Sequence, residues 1–166
     1  MRLSLIHILN HPERIGNNVV VIDRNGHIKA PGVCEYALSL GARVHYVTPA
    51  SAMGVDLDGM TLQHLNLRLF GNELFSYDVY SDLEEIGEHS VVIGNVFGSR
   101  KKEIDGIDTL ILVNQPMSEN VLYKELKANR KNVFALGDCN APRLIEQAIY
   151  ESEKLGREIE TKLQTE

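Results

Sequence analysis

The chain predicts an α/β protein with a Rossmann-like fold: three layers, with a parallel sheet plus a β-meander. Three observations point there. Apolar runs at 19–23 (VVVID), 109–113 (TLILV) and 133–136 (VFAL) suit strands covered on both faces, as parallel strands are. Helix-spaced apolar stretches alternate with them. Short strand-like segments separated by turn residues fill 74–105.

Taken in order, residues 1–12 read as a non-native or disordered start, because MRLSLIHI resembles the translation of a sequencing-library adapter. A strand at 19–23, a helix over 31–40 ended by Gly41, and a strand at 43–48 make a βαβ unit. Its nucleotide fingerprint is missing. A dinucleotide turn needs closely spaced glycines so that backbone can approach a pyrophosphate. Here Asp23 and Arg24 stand where the first glycines belong, and Gly26 and Gly32 are too far apart. The second strand ends Val47-Thr48-Pro49, without the acid that would hold a ribose hydroxyl. The unit therefore keeps the architecture without its nicotinamide cofactor, and NAD(P) is not expected.

A second helix covers Gly59–Phe70, with Leu62, Leu65, Leu69 and Phe70 on one face and Met53 and Met60 as core packing. Segments 74–80 and 90–97 and a piece near Glu103 read as the meander, with turns at 85–88 and 98–102. After the strand at 109–113 comes a helix over 119–129 capped by Ser118. The last segment reads as a short strand at 133–136, a Gly137-Asp138 turn, and a long helix from Pro142 with Asn140 as its cap. Ile145, Ala148, Ile149, Ser152, Leu155 and Ile159 repeat at helical spacing as its apolar face.

Composition narrows the function. Hydrophobic content of 43% and charged content of 24% are those of an ordinary globular protein, and a formal charge of −6 argues against a general nucleic-acid binder. The basic run Arg100-Lys101-Lys102 reads as a solvated turn. No apolar run reaches the ~18 residues of a membrane span. Cys34 and Cys139 form no Cys-x-x-Cys and fit a reducing compartment. No metal site is expected, the spacing of His7 and His11 lying in the irregular start. No Ser/His/Asp, Cys/His or paired-carboxylate constellation stands out, and Glu84-Glu85, Glu151 and Glu153 read as solvated faces.

The string Gly137-Asp138-Cys139-Asn140-Ala141-Pro142-Arg143 is the most specific feature. Alone it reads either as a plain turn or as a ligand site at the carboxyl end of a strand, where ligands of open α/β sheets bind. With the apolar stretch before it and the helix ending Gly156-Arg157-Glu158-Ile159 after it, it resembles the C-terminal segment of the trimethylamine dehydrogenase-like FMN/iron–sulfur flavoproteins. These are similar to NADH:flavin oxidoreductases, dienoyl-CoA reductase and the enoate reductases. Residues 19–49 and 110–126 resemble the same family, so the likeness runs over about 13–160.

The resemblance implies that residues 13–108 are a degenerate NAD(P)-binding-like domain and that 109–166 close an FAD- or ADP-binding domain. It implies that Gly137, Asp138, Cys139, Ala141, Pro142 and Arg143 line that FAD or ADP site. Asp138 would accept hydrogen bonds from ribose or ribityl hydroxyls, the backbone of 139–143 would face the pyrophosphate, and Arg143 would meet either a phosphate or a carboxylate across the domain. The FMN barrel, the 4Fe-4S cluster and the first half of the FAD/ADP domain would lie upstream, so the natural protein is expected to continue before residue 1. Strands 110–113 and 133–136 would then have lost sheet neighbours. The whole would be a cytoplasmic, homo-oligomeric amine dehydrogenase-like oxidoreductase, with no membrane or nucleic-acid partner and no catalytic residue on this stretch. The alternative is a free-standing, non-catalytic Rossmann-like module that binds a nucleotide or a partner.

Overall fold

The computed structural model describes residues 5–165. It divides into two compact units, one ending at Asn114 and the other starting at Gln115. In the first unit, strands β1 (Asn18–Asp23), β2 (Arg43–Val47), β3 (Phe75–Asp78) and β7 (Thr109–Val113) form a parallel sheet in the order β3-β2-β1-β7. Strands β4 (Ser81–Ile86), β5 (Ser90–Asn95) and β6 (Lys101–Asp105) form an antiparallel meander. This is the α/β architecture, a parallel sheet plus a β-meander, that the sequence predicts.

Strand periodicity builds the layers. Alternate residues of a strand face opposite sides. Val19 and Val21 of β1, with Val44 and Tyr46 of β2, pack against helix α2 (Lys29–Ser39) through Val33, Cys34 and Ala37, and against helix α3 (Gly59–Phe70) through Leu65 and Leu69. Val20, Ile22 and Val47 face the other way, onto Val91, Ile93 and Ile107 of the meander side. Burial on both faces is why β1 is an unbroken apolar run. Gly41 follows α2 with φ +83°, the left-handed stop expected of it. The Asp58 carboxylate accepts from the N–H groups of Met60 and Thr61 and caps α3.

Several expectations need correction. Residues 75–78 are the third parallel strand, not part of the meander: Phe75 pairs with Val44 and Asp78 with Val47. The first meander strand is β4, in the stretch assigned partly to a turn. Tyr80 joins the two sheets with φ +52° and is pinned there, its N–H donating to Ala50 O at 3.0 Å and its carbonyl accepting from Val96 N–H at 2.8 Å. Strand β7 pairs with β1 from Val19–Thr109 to Asp23–Val113, so residues 109–113 complete the first unit instead of opening the C-terminal part. Its other edge has no sheet partner among the described residues. Met53 is buried as expected, whereas Met60 and Phe70 are exposed. Within the start at 1–12, helix α1 (Leu5–Asn10) forms and Ile8 is buried in the α2/α3 core.

The second unit holds helix α4 (Val121–Asn129), an irregular stretch at 133–136, a 3-10 turn at Gly137–Cys139 and helix α5 (Ile145–Thr165). Ser118 does not cap α4. Asn120 precedes the helix, and its amide donates to Ser118 Oγ at 3.2 Å. The 133–136 stretch is irregular and half-buried, with extended backbone at Leu136, and joins no sheet among the described residues, so the strand expected there is not formed. Helix α5 begins three residues later than Pro142, and Asn140 is not its cap. Leu144 N–H donates instead to Gln147 Oε1 at 3.1 Å, a side chain from the first helical turn reaching back to an unpaired donor.

Candidate functional site

The six residues singled out from the sequence, Gly137, Asp138, Cys139, Ala141, Pro142 and Arg143, lie together in one turn between the 133–136 stretch and α5. Gly137 has φ +60°, and a Cβ there would stand 3.3 Å from Ala148 Cβ of α5. Both facts favour glycine, through the left-handed backbone and the close helix. Its carbonyl accepts from the N–H groups of Asn140 and Ala141, each at 2.9 Å, which folds the turn back on itself. Asp138 is exposed at the crest, while Cys139, Ala141 and Pro142 are half-buried.

Glu151 of α5 organises this turn, and the sequence reading missed it. One carboxylate oxygen accepts from Gly137 N–H at 3.0 Å. The other pairs with the Arg143 guanidinium and accepts weakly from Asn140 Nδ2 at 3.4 Å. Its side chain is only 19% exposed. A signal was available: Glu151 lies three residues after Ala148 and four before Leu155, on one helix face. The covered stripe of α5 runs through Gln147, Ala148, Glu151 and Leu155. Ile145 and Ile149, expected on the apolar face, are 79% and 60% exposed. Arg143 thus meets a local carboxylate, eight residues along the chain, rather than one across the domain.

Beside the turn is a cavity of about 530 Å³, with Phe134 and Leu136 of the 133–136 stretch on one wall and Lys127, Asn140, Glu151 and Lys154 around it.

The carboxyl end of β1 in the first unit behaves differently. Asp23 is fully buried, and one oxygen accepts from the N–H groups of Asn25 at 2.8 Å and Gly26 at 3.0 Å. The other accepts from the Tyr46 hydroxyl at 2.6 Å. Burial, and then the hydrogen bond and charge of Asp23, push the Tyr46 hydroxyl well above its ordinary pKa. Burial followed by the Asp23 charge does the same to the Cys34 thiol, which is therefore an inert core group. The turn's own carboxylate holds the donors that a phosphate would need here.

Another constellation escaped the sequence reading. His45 of β2 lies beside Ser76 and Asp78 of β3, with Nδ1 2.7 Å from Ser76 Oγ and Nε2 2.8 Å from Asp78 Oδ2. Lys102 of β6 donates to the same Asp78 oxygen at 2.6 Å. Burial, opposed by the Asp78 bond and helped by the Lys102 charge, holds the imidazole below its ordinary pKa. The shared carboxylate ties β2, β3 and β6 together, which is a structural arrangement. Among the described residues, no group of three or more His, Cys, Asp or Glu is placed to hold a metal ion, and no helix is long and apolar enough to cross a membrane.

No family model matches the chain. Dimethylamine dehydrogenase from Hyphomicrobium sp. (strain x) is 29% identical over 195 aligned positions, covering 95% of this chain and 25% of that protein. The structure of 6-hydroxypseudooxynicotine amine oxidase from Pseudomonas geniculata N1 superposes with a TM-score of 0.74 at 28% identity, covering 93% of this chain and 24% of that one. Lactococcus lactis thioredoxin reductase, at 16% identity, shares the fold with a TM-score of 0.68 over 94% of this chain and 56% of its own. The chain therefore spans about a quarter of the length of this curated relative.

Proposed function

The chain is a homologue of the trimethylamine dehydrogenase-like flavoproteins and fits their C-terminal part, and from that premise we propose that it is the FAD- or ADP-binding region of an FMN/iron–sulfur, amine dehydrogenase-like oxidoreductase. The observation that carries the reading is the closed turn at 137–143, which leaves the Asp138 carboxylate exposed and contributes Asn140 to the lining of a cavity of about 530 Å³. Asp138 is free to accept hydrogen bonds from sugar hydroxyls, and the left-handed Gly137 removes the Cβ that would crowd the turn against α5.

The fit is uneven along a nucleotide. The sugar end meets Asp138. At the phosphate end Arg143 already pairs with Glu151, Pro142 has no N–H to give, and the N–H groups of Asn140 and Ala141 already donate to the Gly137 carbonyl. FMN and a 4Fe-4S cluster would supply the redox chemistry from an upstream part of the protein, together with the first half of the nucleotide domain. NAD(P) is not the ligand of the first unit in this reading, because Asp23 fills its turn from within. A cytoplasmic homo-oligomer fits the same proposal.

Calorimetric titration of the chain with ADP tests it. Binding that weakens about tenfold or more in Asp138→Ala is expected, on the scale of a lost charge-assisted hydrogen bond. Equal affinity in the two proteins would exclude Asp138 from the site and return the turn to a purely structural role.

A further inference from the structure

Glu151 lines the cavity beside the turn but is not one of the ligand contacts proposed above, and it is bonded to both ends of the turn that makes them. We infer that Glu151 is the positioning residue of this site: it locks the turn to α5 and so aims Asp138 at the ligand. The inference rests on the nucleotide reading and deepens it.

The geometry is that of a brace. Gly137 opens the turn and Arg143 closes it, and one carboxylate takes a donor from each, with the Asn140 amide adding a third, weaker contact. Bonds to a charged acceptor are roughly twice as strong as neutral ones. Helix α5 runs unbroken from Ile145 to Thr165, so the brace is anchored six residues into a rigid element. Asp138 follows Gly137 directly, so the backbone position from which its side chain projects is set by the Gly137 backbone that the brace holds. Two consequences follow. The positive charge of Arg143 is neutralised within the chain, so ligand recognition falls to Asp138. The turn is also pre-shaped, which spares the ordering cost a loose loop would add on binding.

The test is a double-mutant comparison of Glu151→Ala, Glu151→Gln and Asp138→Ala in the full chain, with ADP as the probe. Glutamine keeps an acceptor for Gly137 N–H and alanine keeps none. Glu151→Ala is expected to weaken ADP binding about tenfold, Glu151→Gln to stay within about threefold, and Glu151→Ala to add less than about twofold on an Asp138→Ala background, since a residue acting through another is not additive with it. Additive losses, or unchanged or tighter binding in Glu151→Ala, would overturn the inference, tighter binding showing that the carboxylate competes with the ligand. The Gly137 amide resonance separates this from failure of the nucleotide reading. If the unaltered chain takes up no ADP, that reading falls, while a Gly137 shift in Glu151→Ala that Glu151→Gln restores still supports the brace, and an unmoved Gly137 refutes it.

Discussion

The Tyr46 hydroxyl is one of three donors on the buried Asp23 carboxylate, and its loss would leave a fully enclosed oxygen underbonded. Hydrogen bonds to charged groups contribute about 1.5–3 kcal/mol, so Tyr46→Phe should destabilise the first unit by about 2 kcal/mol in urea unfolding. A change below about 0.5 kcal/mol would mean that Asp23 finds another donor once the hydroxyl is gone. His45 gives a prediction in pH. Its folded pKa lies below the unfolded value of about 6.5, mainly through burial, so the unfolded chain binds the proton more readily. Stability should therefore rise with pH through this window, and fall as pH drops from about 6.5 toward the folded pKa. In His45→Gln that part of the slope should disappear. A variant with the same slope between pH 5 and 7, values chosen about the ordinary imidazole range, would place the proton-sensitive group elsewhere.

At the scale of elements, legibility followed burial. Strand β1 and helices α2 and α3 could be read because each has a clear inward face, and Val19, Val21, Leu65 and Leu69 are indeed buried. Strand β4 could not. Its sequence, SDLEEI, is poor in strand formers, and it is held by tertiary pairing with β5 and by the Glu84–Lys101 ion pair. The residues before it, FSYD, look like a meander strand in isolation, and only their register with β2 assigns them to the parallel sheet. The opposite error occurred at 133–136. An apolar run announces a buried strand, but a strand needs a neighbour to bond, and none of the described residues supplies one. The candidate turn was legible as a string. Glu151, which shapes it, was hidden because a carboxylate on a long charged helix is usually solvated. Its partners, Gly137 and Arg143, lie 14 and 8 residues before it in the chain.

For the molecule as a whole, the contrast between the two units leads to a stability prediction. The first unit buries its strands on both faces. The second has no fully buried residue among those described, and leaves Met117, Leu122, Ile145 and Ile149 open to solvent. At about 25 cal/mol per Å² of buried apolar surface, half-covered side chains return too little to offset the ~1–2 kcal/mol per residue that backbone ordering costs. Hydrogen exchange should therefore split the chain. Amides of β1 and β2 should exchange only through global opening, while those of 133–136 and α4 should exchange orders of magnitude faster, through local opening. The proposed upstream half of the nucleotide domain gives a second arm. If it covers these apolar side chains and pairs the 133–136 backbone, the same amides should become protected in the longer protein and only there. Protection of 133–136 in the 166-residue chain at the level of β1 would show that the second unit needs no partner, and would favour a free-standing module over part of a larger oxidoreductase.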